Sequence, residues 1–163
     1  MEKKFILDAC CGGRMFWFNK KHPNTIYIDF EPRPKGIVKE RPNFNCEPDI
    51  IMDFRKLNFP DKSFKHVVWD PPHLLKLSET SMMRKKYGVL NTETWKDDLR
   101  KGFKELWRVL DDFGTLVFKW NEGSISTKEV LSVFPVGPLY GHPTAKNGKT
   151  KWFSFIKIPG DIQ

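Results

Sequence analysis

The sequence predicts an α/β fold with a mostly parallel central sheet and an antiparallel strand pair at its C-terminal end. Three observations predict it. Short apolar runs that stop at acids alternate with helical or polar stretches through the first 120 residues, as in parallel sheets with crossovers. One strong helical period occupies the middle of the chain, from Trp95 to Leu110. The last two strand-like runs are joined only through Lys146-Asn147-Gly148-Lys149, a loop without a helix, so they should lie antiparallel. The length of 163 residues fits one domain spanning 1–163.

Phe5-Ile6-Leu7 is the first strand, and Asp8-Ala9-Cys10-Cys11-Gly12-Gly13 is a tight turn of small residues after it. Arg14 to Lys21 reads as a short helix stopped before Pro23. Thr25-Ile26-Tyr27-Ile28, β-branched and aromatic, is the second strand and ends at Asp29-Phe30-Glu31-Pro32. Arg33 to Pro48 holds three prolines and no helical period, so it is a long, mobile loop of the kind that carries function. Ile50-Ile51-Met52 is a third strand ending at Asp53, and Asn58 to Ser63 is turn chemistry.

The fourth strand is Lys65-His66-Val67-Val68-Trp69, and it stops at Asp70 because Pro71 and Pro72 cannot continue a ladder. Leu74 to Val89 reads as a loop with some helix and carries Arg84-Lys85-Lys86. Thr94-x-x-Asp97 is a loose capping signal for the main helix. Gly114 closes the connection to a fifth strand, Thr115 to Trp120. Ser126-x-x-Glu129 is a full capping box for a short helix before Pro135, and the Tyr140 region and Trp152 to Ile158 form the terminal pair.

The charge is +8, which favours a polyanionic partner such as nucleic acid. From Tyr140 to Ile158 the chain has Lys146, Lys149, Lys151 and Lys157 and no acid. No apolar run approaches the ~18 residues of a membrane span. The start, Met1-Glu2-Lys3-Lys4, leads straight into a strand. Together with only three cysteines, this leads us to expect a cytoplasmic protein without a membrane partner.

Four strands end in an acid: Asp8, Asp29, Asp53 and Asp70. In a parallel sheet these share the carboxyl edge, where ligands bind. The first turn lacks both the G-x-G-x-x-G dinucleotide fingerprint and the P-loop pattern. An acid after the second strand suits a ribose, and one after the third suits the amine of adenine. Together they describe a cleft for an adenosine ligand without a phosphate. Zinc is disfavoured, since Cys10 and Cys11 are adjacent and no C-x-x-C exists. A Pro-Cys nucleophile and a G-x-S-x-G elbow are also absent.

These residues resemble the class I S-adenosylmethionine-dependent methyltransferases, a Rossmann-like fold. Phe5 to Gly13 looks like their motif I, with Cys-Gly-Gly for the usual Gly-x-Gly. Tyr27-Ile28-Asp29 and Asp53 through Phe64 are similar to the ends of their second and third strands. Asp70-Pro71-Pro72-His73 resembles motif IV of the amino-methylating branch, with His for the usual Tyr or Phe, and is closest to small phage- and prophage-type enzymes. The resemblance implies S-adenosyl-L-methionine as cofactor. It implies that Asp8, Ala9, Cys10, Cys11, Gly12 and Gly13 lie under the methionine portion. It places Asp29, or Glu31 in its stead, on the ribose, and Asp53 and Phe54 at the adenine. Asp70, Pro71, Pro72 and His73 would take the target amine. The expected activity is methylation of adenine N6 or cytosine N4 in DNA. Alternatives are an RNA or small-molecule methyltransferase, or an inactive nucleic-acid-binding module of the same fold.

The role of Asp70 also follows from chemistry. An aromatic amine is a poor nucleophile, because its lone pair is delocalised into the ring. A carboxylate and a backbone carbonyl that accept its N–H bonds shift density back and orient the lone pair. The prolines stiffen that corner, and a ring at His73 can stack on a base taken out of its duplex.

Overall fold

A computed structural model describes residues 4–144 and 146–160; the reading of Met1-Glu2-Lys3 falls outside them. Seven strands form one sheet in the order β3-β2-β1-β4-β5-β7-β6. They are β1 (Ile6–Asp8), β2 (Thr25–Asp29), β3 (Ile50–Ile51), β4 (Phe64–Trp69), β5 (Leu110–Asn121), β6 (Tyr140–Thr144) and β7 (Thr150–Ile156). The first five are parallel, while β7 pairs antiparallel with β5 and with β6. The mostly parallel sheet and its antiparallel end are as the sequence predicts. No described helix is long and apolar enough to cross a membrane.

Three helices are described: α1 (Met82–Tyr87), α2 (Trp95–Val109) and α3 (Thr127–Ser132). The helical period from Trp95 becomes α2, which buries Trp95, Leu99, Phe103, Leu106 and Trp107 against the sheet. On that sheet face Leu7, Val67, Trp69, Leu116, Phe118, Phe153 and Phe155 complete the main core. Burying each such side chain stabilises the fold by about 1.5–3 kcal/mol, before the cost of ordering it. Ser126 and Glu129 make the reciprocal capping box of α3.

Three expectations need correction. Arg14 to Lys21 is a run of turns, not a helix. Trp17 and Arg14 cover Tyr27 instead: Trp17 lies edge-on to its ring at 5.1 Å, and Arg14 stacks on it at 3.7 Å. Among the described residues, the connections β1–β2, β2–β3 and β3–β4 carry no α-helix, so strand-helix alternation holds only from β4 onward. Thr94 does not cap α2 through its side chain; Asn91 Oδ1 accepts from the Glu93 and Thr94 N–H groups instead.

The loop 33–48 is packed, not free. Arg33 and Cys46 exchange backbone hydrogen bonds of 2.9 and 2.8 Å. Val38, Phe44 and Cys46 are buried with Cys11 and Tyr27 in a second small core.

Candidate active site

A cleft of about 730 Å³ opens at the carboxyl edge of the parallel strands, within the ~300–1,000 Å³ usual for small-molecule sites. The turn after β1, the ends of β2 and β3, the corner after β4, the α1 segment and the end of β5 all line it. Register explains who reaches it. Asp8 pairs with Tyr27 and Val68, two residues short of Asp29 and Asp70 respectively. Asp29, Asp53 and Asp70 therefore lie at the rim, whereas Asp8 is fully buried below it.

Asp8 and Ala9 consequently lie buried beneath the cleft and do not line it, unlike the rest of the turn expected under the methionine portion. The Asp8 carboxyl accepts from Trp17 Nε1 at 2.7 Å and from the Cys10 N–H at 3.4 Å. Burial raises its pKa to about 7, against the pull of those bonds. Cys10, Cys11, Gly12 and Gly13 do line the cleft. Gly12 has φ +47°, and no atom lies within 4 Å of where a Cβ would be, so ligand can approach bare backbone there. A Cβ on Gly13 would lie 2.9 Å from the Phe44 ring, which seats loop 33–48 on the turn. Cys-Gly-Gly thus keeps one glycine for the turn and one for a close approach.

Asp29 is already engaged. Its Oδ2 accepts from the Gly12 N–H at 2.9 Å, and its Oδ1 pairs with Arg33 at 3.1 Å. Glu31 also touches Arg33, at 3.2 Å, but its side chain is 58% exposed at the cleft. Of the two acids at the β2 end, Glu31 is the less engaged and the more exposed to the cleft. Asp53 faces the cleft but is held by Arg55 at 2.6 Å, and Arg55 also reaches Asp98 at 2.8 Å. Burial pushes the Asp53 carboxyl up, yet the bonds from Arg55 win and its pKa is lowered. Phe54 leans on Trp69 and on Gly102 of α2, where an added Cβ would meet its ring at 2.5 Å.

At the β4 corner, Asp70, Pro71, Pro72 and His73 all line the cleft, as the motif predicts. Burial raises the Asp70 pKa, only partly offset by Lys119, whose Nζ lies 2.6 Å from Oδ2. Burial lowers the His73 pKa despite the nearby Asp70, which keeps its ring neutral at neutral pH. That ring sits edge-on to Trp120 at 6.1 Å.

No protein-family model matches the chain, and no curated protein does. Solved structures do match, at the level of fold. The PH0226 protein of Pyrococcus horikoshii OT3 is 15% identical with a TM-score of 0.59, over 93% of this chain and 81% of that one. A SAM-dependent methyltransferase of Methanosarcina mazei is 13% identical with a TM-score of 0.56, over 97% and 94%. The protein solved in complex with the Haloferax volcanii Trm112 methyltransferase activator is 11% identical with a TM-score of 0.52, over 96% and 84%.

The chain has the class I methyltransferase fold. This methyltransferase fold also shows which residues sequence reasoning missed. Arg33 and Arg55 each neutralise a strand-end acid, and the Asp29–Arg33 spacing of four was the available signal for the first. Lys119 was missed too. It alternates with the core residues Phe118 and Trp120, so it had to point off the core at the level of Asp70. Cys11, Asp29 and Cys46 bring their ligand atoms within 4.8 Å of one another. Arg33 already occupies Asp29, and a hydrogen bond to Cys46 followed by burial keeps the Cys11 thiol protonated, which opposes a cation there. Burial likewise holds the Cys10 thiol protonated, unsuited to nucleophilic attack.

Proposed function

We propose that the chain methylates an exocyclic amino group of a nucleobase, adenine N6 or cytosine N4, with S-adenosylmethionine as methyl donor and DNA as substrate. The observation that carries this is the rigid corner Asp70-Pro71-Pro72-His73 on the wall of a cleft whose rim offers Glu31, Asp53 and Phe54. The cleft fits the cofactor in size, in the open backbone at Gly12, and in the exposed carboxylate of Glu31. Gly12 and Gly13 would hold the methionine portion, Glu31 the ribose hydroxyls, and Asp53 and Phe54 the adenine. When bound, the cofactor supplies a methyl group activated on a sulfonium.

The remaining work falls to this chain. Asp70 and the Pro71 carbonyl accept the two N–H bonds of the target amine and aim its lone pair across the cleft. Because the corner is fixed before substrate arrives, little reorganisation is needed as charge develops on the nitrogen. The neutral His73 ring offers a face for the base, which must leave its stack to enter. Arg84, Lys85 and Lys86 of α1 line the cleft, and Lys146 and Lys149 stand exposed on the β6–β7 turn beside Thr150, a lining residue. The three cations of α1 on the cleft wall, with the two exposed lysines of the β6–β7 turn, suit a phosphate backbone.

Isothermal titration with S-adenosylmethionine tests the cofactor half directly. Saturable binding at micromolar concentration is expected. No heat at high micromolar cofactor would sink the enzyme reading and leave a nucleic-acid-binding module.

A further inference from the structure

Resting on the reading above, we propose that Lys119 and Asp70 together form a base-reading pair. Asp70 accepts from the target amine, while Lys119 donates to the unprotonated ring nitrogen beside it. The register Trp69↔Phe118 between the parallel neighbours β4 and β5 brings Asp70 and Lys119 level at the cleft edge. Nζ reaches Oδ2 at 2.6 Å, and both side chains are mostly buried, 28% and 18% exposed.

The ammonium also lies near two aromatic rings, Phe16 at 5.4 Å and Trp152 at 5.6 Å, which themselves meet edge-to-face at 5.2 Å. One of its three N–H bonds is spent on Oδ2. Among the described residues, Oδ1 of Asp70 accepts no hydrogen bond and the other two N–H bonds of Lys119 find no acceptor. The cleft therefore meets an acceptor and a cationic donor side by side.

That pattern is complementary to an amine next to a ring nitrogen lone pair. Adenine presents it at N6 and N1, and cytosine at N4 and N3. Guanine sets a ring N–H against the ammonium on its Watson–Crick edge, donor against donor, and thymine has no amine. Donation to the ring nitrogen makes the amine N–H bonds better donors to Asp70 but draws on the amine lone pair, so the gain from Lys119 is in orienting the base. Lys119 would thus favour adenine or cytosine over guanine presented by its Watson–Crick edge, and would account for an ion pair where a lone carboxylate was expected.

The test is single-turnover methyl transfer to single-stranded oligonucleotides, which removes base pairing as a variable. Adenine is compared with 1-deazaadenine, and cytosine with 3-deazacytosine, in the wild type and in Lys119→Met. A charge-assisted hydrogen bond predicts that the wild type prefers the natural base by about 10–100-fold. This preference runs against the greater intrinsic nucleophilicity of the deaza amine. In Lys119→Met the preference should vanish or reverse, with the natural base losing the rate. Equal wild-type rates on the natural and deaza bases would overturn the pair, whether or not the variant folds. So would a Lys119→Met protein that keeps the preference, or one whose only defect is weaker S-adenosylmethionine binding, which would assign the lysine to the cofactor. A wild type that methylates neither natural base would instead remove the amino-methylation reading, and this inference with it.

Discussion

Asp8→Asn should stabilise the protein at alkaline pH, because the Asp8 carboxylate is buried below the cleft at a cost. Burial pushes its carboxyl up to about 7 in the folded protein, against 3.8 for a free aspartate side chain. Below pH 4 both folded and unfolded chains carry the proton, and there is no penalty. As pH rises towards 7, the unfolded chain loses its proton first, so stability falls; above 7 the penalty is complete. Three pH units at 1.36 kcal/mol each amount to about 4 kcal/mol, of which about 3 kcal/mol develops between pH 5 and pH 8. Asparagine keeps an acceptor for Trp17 Nε1 but turns its amide towards the Cys10 N–H, which costs about 1–2 kcal/mol at every pH. The assay is urea unfolding of both proteins at pH 5 and pH 8. The stability difference should move by about 3 kcal/mol in favour of the variant at pH 8. Taking the difference cancels His66 and His73, whose charged forms burial also disfavours. A difference constant to within about 0.5 kcal/mol would refute the argument that desolvation dominates at Asp8.

Asp70→Ala should cut methyl transfer by at least about a thousandfold while changing cofactor affinity less than threefold, as titration and single-turnover rates would show. Loss of both together would count against Asp70 as the amine acceptor. Gly102→Ala should push Phe54 out of place, since its ring stands 2.5 Å from the new Cβ. Overpacking of about 1–3 kcal/mol outweighs the ~1 kcal/mol helix gain, lowering Tm and cofactor affinity; an unchanged affinity would remove Phe54 from the site. Replacing both Lys146 and Lys149 by alanine should reduce the salt slope of duplex DNA binding by about 2. An unchanged slope would make the β6–β7 turn a solvated face.

The sheet was legible because its strands carry the plainest signals: short apolar runs, each stopped by an acid or a proline. The order of the acids along the chain also placed three of the four at one edge. What failed was the segment 14–21, where a cluster of Met15, Phe16, Trp17 and Phe18 suggested a helix. Trp17 instead covers Tyr27 and Phe16 meets Lys119, contacts between distant parts of the chain that local periodicity cannot express. Asp8 shows the same gap at finer scale: strand-end position is visible in sequence, but the two-residue stagger that buries it comes only from register. The lysine partner of Asp70 likewise depends on which strands become neighbours, whereas the arginine partners of Asp29 and Asp53 lie only four and two residues away along the chain. Motif matching identified the acids and said nothing of the cations that already hold them.

The most direct test of the account is transfer of a labelled methyl group from S-adenosylmethionine to DNA and RNA in parallel, followed by digestion and nucleoside analysis. The site predicts label on an exocyclic amine, as N6-methyladenine or N4-methylcytosine, in DNA. Label confined to a ring carbon or a ribose oxygen, or no label in either polymer, would contradict it.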